Sequence, residues 1–107
     1  MEYNGKTIKV LFLPRLRAIE ERLNVLNSNA NIETDMQVNP ETGNLYLILW
    51  DGKSKSAEKI VVFKEGDAFD KEYMVNSFRK NVIKEINYWC NAKGFNPMKE
   101  NVLKEKE

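Results

Sequence analysis

Histidine is missing from this 107-residue chain. Its absence removes the side chain most used for proton transfer near neutral pH, which is also the commonest metal ligand. Cysteine occurs once, as Cys90, so no internal disulfide can form and no paired-cysteine zinc motif exists. Long apolar runs are lacking: VLFLP and the six residues LYLILW both fall far short of the ~20 residues of a membrane span. The opening MEYNGKTIKVLFLPR has an acidic second residue and no small-residue cleavage site behind an apolar core, so no signal peptide is expected. An excess of one charge sign is lacking as well. With 17 basic and 16 acidic side chains, the net charge of +1 provides no whole-molecule field to draw in nucleic acid or an acidic membrane. These absences lead to the expectation of a non-catalytic, cytoplasmic protein with no cofactor, no metal and no membrane partner.

What is present is an ordinary globular mixture, 42% hydrophobic and 31% charged, enough for one core and too short for two domains. The expected domain spans 1–96, followed by a polar tail over 97–107, NPMKENVLKEKE from Asn96 onward being mixed in charge. Residues 7–13, TIKVLFL, are read as a short strand, because Thr7, Ile8, Val10 and Phe12 favour extended backbone and Pro14 suits the first turn of a helix. PRLRAIEERLNVLNSN then forms the first helix, with Leu16, Ile19, Leu23 and Leu26 on one stripe.

A hairpin follows, IETDMQV and NLYLILW joined by NPETG, where proline presets φ and Gly43 is available for positive φ. If Val38 faces Leu45, then Met36 meets Leu47 and Thr34 meets Leu49, making the core face. The opposite face pairs Gln37 with Tyr46, Asp35 with Ile48 and Glu33 with Trp50. A one-residue slip would exchange the two faces. After DGKSKSAE, the segment KIVVFK is a third strand, apolar on both sides through Ile60 and Val62 and through Val61 and Phe63. The second helix is expected over roughly 71–93, capped by Asp67 or Asp70, with Val75, Phe78, Val82, Ile86 and Trp89 at helical spacing. Tyr73, Met74, Ile83 and Cys90 widen that stripe, and Gly94–Phe95 is a left-handed stop. The predicted fold is α+β: a three-stranded antiparallel meander with two amphipathic helices, α-β-β-β-α, preceded by the short N-terminal strand.

The stretch NLYLILWD carries the main functional signal, since no polar side chain interrupts Leu45 to Trp50. If both helices pack on the leucine face, Tyr46, Ile48 and Trp50 are left on an outer face, and Tyr and Trp are frequent anchors of protein interfaces. The competing reading has TIKVLFL or a helix covering this patch, which would make it a second small core. Glu33 and Asp35 flank the aromatics as an acidic rim. The expected partner is another protein, or a second copy of the chain.

The alternative partner is nucleic acid, through Arg15, Arg17 and Arg22 on the first helix, Lys53 and Lys55 in the turn, and Arg79, Lys80 and Lys84 on the second helix. These cations are interleaved with Glu20, Glu21, Glu72 and Glu85, which fits a solvated helix surface better than a phosphate track. The α-β-β-β-α order resembles that of double-stranded-RNA-binding domains, which bind through the first helix, a hairpin loop and a basic start of the second helix. Here that loop is the acidic NPETG and that helix opens with DAFDKEYM. The resemblance lies in element order, and no binding residue is carried over. Cys90 lacks a histidine to activate it as a nucleophile.

Overall fold

A computed structural model describes residues 4–67 and 72–98, with side chains of the last helix described from 75 onward. The elements are α1 (Gly5–Leu26), β1 (Ile32–Val38), β2 (Leu45–Asp51), β3 (Ser56–Phe63) and α2 (Glu72–Lys93). The three strands form one antiparallel sheet in the order β1-β2-β3, so the expected α+β meander is the observed fold.

The N-terminal segment departs from expectation. Residues 7–13 are the first half of α1, not a strand. Asn4 caps the helix by accepting from the Thr7 N–H at 3.0 Å. Gly5 packs so closely that a Cβ there would lie 2.8 Å from the Gly43 carbonyl. Pro14 sits inside the helix and cannot donate to the carbonyl of Val10. Both residues face solvent, so water can take that carbonyl. The β-branched content of TIKVLFL is overridden by tertiary packing: Ile8, Phe12, Leu16, Ile19 and Leu23 form one continuous buried stripe.

The hairpin register is the one predicted, with Val38 opposite Leu45, Met36 opposite Leu47 and Thr34 opposite Leu49. Asn39 builds the turn, its side-chain oxygen accepting from the Glu41 and Thr42 N–H groups at 2.8 and 3.3 Å. Gly43 takes φ +77°. β3 pairs with β2 until a bulge, where Tyr46 faces Val61 and Leu45 faces Phe63, leaving Val62 as the extra residue. The bulge returns Phe63 to the core side, while Val61 stays on the outer face.

One hydrophobic cluster draws on all five elements. It includes Leu45, Leu47 and Leu49 of β2, the α1 stripe, Phe63, and Phe78, Val82, Ile86 and Trp89 of α2. Phe12 and Phe78 meet edge to face at 5.4 Å. Asp67, expected as a cap of α2, belongs instead to the turn after β3: its carboxylate accepts from the Lys64 N–H, and its own N–H donates back to Lys64. Asp70 and Lys71 lie outside the described residues, as do the side chains of Tyr73 and Met74. The predicted stop is present. Gly94 adopts φ +78°, Phe95 N–H donates to the Cys90 carbonyl at 2.8 Å, and its ring rests against Trp89. Met98, assigned to the tail, is buried and exchanges two hydrogen bonds with the Asn87 side chain. Residues from 99 onward lie outside the described region.

The two edge strands are treated differently. α1 runs antiparallel to β1, and a four-residue step along a helix (~6 Å) nearly matches a two-residue step along a strand (~6.6 Å). Asn24 and Glu20 therefore meet Ile32 and Thr34 in turn. The Asn24 amide accepts from the Ile32 N–H at 2.7 Å and donates to its carbonyl at 2.8 Å, as a neighbouring strand would. Glu20 accepts from the Thr34 N–H and hydroxyl, at 2.6 and 3.0 Å, and Arg17 donates to the Thr34 carbonyl at 2.6 Å. The next outward N–H, of Met36, is taken by the Asp35 carboxylate at 2.9 Å. Since Ile32 and Thr34 point away from β2, antiparallel alternation makes Ala57, Lys59 and Val61 the residues of β3 whose backbone points off the opposite edge. Among the described residues, no side chain bonds those groups.

Candidate functional site

The outer sheet face is laid out in rows by the strand register. Glu33, Trp50 and Ala57 form one row, Asp35, Ile48 and Lys59 the next, and Gln37, Tyr46 and Val61 the third. Tyr46, Ile48 and Trp50 are half-buried between flanking strands whose outward side chains are exposed. None of these side chains belongs to the core cluster. Residues 7–13, the segment that could have covered the face, send Ile8 and Phe12 into the core on the other side. Among the described residues, no element packs across the outer face. Both sides of β2 are apolar for different reasons, one being the core and the other an aromatic surface.

Side chains at the rim shape this surface. The Lys59 ammonium lies 4.6 Å from the centre of the Tyr46 ring, a cation–π contact that holds the lysine over the face. An open depression of about 270 Å³ adjoins it at the hairpin end, lined by Gln37, Pro40, Glu41, Tyr46 and Lys59 among others. Arg17 reaches the other rim, 3.5 Å from the Asp35 carboxylate and 3.4 Å from Glu20. The predicted binding residues Tyr46, Ile48, Trp50, Glu33 and Asp35 are thus brought together on one face. Lys59 and the hairpin depression are additions, because their place depends on the β3 register, which stays open when all of DGKSKSAE is read as the connection; the structure closes it with only residues 52–55.

No protein-family model, curated protein or solved structure matches the chain. The likeness to double-stranded-RNA-binding domains remains one of element order.

The basic residues of the alternative site are scattered. Arg15, Arg22, Lys80 and Lys84 are exposed on the helices. Lys53 and Lys55 project from the β2–β3 turn, Lys53 at a cleft of about 300 Å³ where the C-terminal ends of both helices meet that turn. Arg17 is engaged in the α1–β1 joint. Arg79, expected on the surface, is only 4% exposed within α2. It sits one residue beyond Phe78, inside the wide stripe that α2 buries.

Among the described residues no three His, Cys, Asp or Glu side chains group so as to hold a metal ion, and no helix is long and apolar enough to cross a membrane. Burial pushes the Cys90 thiol up to about 11, so it stays protonated at neutral pH and is a poor nucleophile. Among the described residues Asp51 is the one buried carboxylate. Burial works against its charge, but hydrogen bonds from the Ser54 hydroxyl and from the Lys53 and Ser54 N–H groups, with Lys93 nearby, more than offset that and hold it below 3.8. These contacts close the β2–β3 turn on α2, which is a structural role.

Proposed function

We propose that the chain is a small non-catalytic protein-interaction module, working in the cytoplasm, that binds through the outer sheet face centred on Tyr46, Ile48 and Trp50. The observation that carries this reading is the placement of residues 7–13 in α1, with Ile8 and Phe12 buried on the far side of the sheet. A central strand with an aromatic face that no described element covers has the chemistry of an interface core. Glu33 and Asp35 on one edge and Lys59 on the other supply a polar rim, which fixes orientation more than it adds affinity.

The test uses acrylamide quenching of Trp50 fluorescence in a Trp89→Phe background, with far-UV circular dichroism checking that the variant is folded. Trp89 is buried against Phe95, so its removal leaves Trp50 as the only reporter. In dilute solution Trp50 should be quenched several times more efficiently than Trp89 is in the converse Trp50→Phe variant. Equal protection of the two indoles would place Trp50 inside the fold and end the proposal.

A further inference from the structure

We infer that the occupant of the outer face is a second copy of the chain, docked face to face about a twofold axis running along β2. This rests on the reading of that face as the binding surface and adds the partner. Register carries the argument. Asp35, Ile48 and Lys59 share one row, with the acid on edge strand β1 and the cation on edge strand β3. Rotation by 180° about an axis along β2 lays face upon face, keeps every row at its own level and exchanges the two edges. Asp35 of each copy then lies over Lys59 of the other. Ile48, Tyr46 and Trp50 meet their own counterparts along the axis.

The other in-plane twofold, perpendicular to the strands, sets β1 on β1 and brings the acidic rims together. Charge selects the first arrangement. It also favours a second copy over a partner of a single sign, because a basic surface would meet Lys59 and an acidic one would meet Glu33 and Asp35. The acid in excess on each face is offset by Arg17, 3.5 Å from Asp35. Packed sheets stand ~10 Å apart, a gap that a lysine and a carboxylate can bridge at the rim.

The face limits the strength of the pair. Seven-residue strands at ~3.3 Å per residue and ~4.8 Å spacing give a footprint of only about 300 Å² per copy. Two such footprints fall short of the ~1,000 Å² that a stable specific interface clears, so the dimer is weak and transient, reversible and concentration-dependent, not obligate.

The experiment is sedimentation velocity on the full chain from about 1 µM to about 1 mM, with Trp50 quenching read on the same series in the Trp89→Phe background. Association should rise with concentration while Trp50 becomes protected. Lys59→Glu should weaken it about tenfold or more, since each dimer would then hold two like-charge contacts. Adding Asp35→Lys to that variant should restore it. Asp35 also accepts from the Met36 N–H, so if that double variant misfolds, Asp35→Asn with Lys59→Glu replaces it: the amide oxygen still accepts from Met36 and the like-charge contact is removed, so association should recover in part. A monomer at every concentration with Trp50 open overturns the second copy and leaves the binding face standing. A dimer indifferent to Lys59→Glu, or one in which Trp50 stays open, also overturns it. Protection of Trp50 already in the dilute monomer would sink the face itself.

Discussion

Asp51 is ionised where burial alone would neutralise it. Its carboxylate is held charged by the Ser54 hydroxyl, two turn N–H groups and the Lys93 ammonium 4.0 Å away. Because its folded pKa lies below the ordinary 3.8, Asp51 contributes stability that is complete above that value. The contribution is lost as pH falls through the lower, folded value. Asp51→Asn should cost about 1–2 kcal/mol at pH 7, where an amide oxygen replaces a charged acceptor. The difference from the unaltered chain should close below pH 3.8, as read by urea unfolding at pH 7, 5, 3 and 2. A gap that stays constant down to pH 2 would mean that the charge contributes nothing. The sequence WDGK marks a turn, but nothing in it announces a buried carboxylate, since burial here comes from α2 arriving through Lys93.

Between elements, the contrast is in how the sheet's two borders are finished. β1 is fastened to α1 through Arg17, Glu20 and Asn24, whereas Ala57, Lys59 and Val61 of β3 have no described side-chain partner for their outward backbone groups. Hydrogen exchange should separate the two edges. The Ile32 and Thr34 amides should exchange more than roughly tenfold slower than those of Ala57, Lys59 and Val61. Equal rates would show that the α1 side chains do not hold the edge. The hairpin register was legible because Ile32, Thr34, Met36 and Val38 alternate with polar residues and NPETG specifies its turn. The edge fastening was not legible. Glu20 and Asn24 look like ordinary surface positions beside the helical stripe, and only the match of helical to strand rise gives them a strand to serve. TIKVLFL was misread for a related reason. Local β propensity and a proline pointed to a strand, but seven residues cannot report the face that Phe78 and the leucines of β2 present to Phe12.

For the molecule as a whole, one core joins all five elements, and the described residues form no second cluster that could unfold separately. Heat should therefore unfold it in a single transition. The midpoint from far-UV circular dichroism should coincide with that from Trp89 fluorescence in a Trp50→Phe variant. Separate midpoints would mean that α2, which carries Trp89, leaves the sheet on its own. Long-range ties reinforce the expectation. The Asn27 side chain accepts from the Asn96 N–H at 2.7 Å, and Asn96 donates back to the Leu26 carbonyl, joining segments 69 residues apart in sequence. Amphipathic stripes and a turn were enough to read the α+β class. The surface open to a partner depended on which side of the sheet the first thirteen residues would take.

The fastening of β1 also sets how many chains a misassembly can recruit. A sheet with two free borders is a template without end, since each newcomer offers a fresh border to the next. Here a second copy that paired through β3 would present its own β1 outward, already occupied by Asn24 and Glu20. Such growth stops at two chains, whereas a chain stripped of those two side chains could go on adding copies into a fibre.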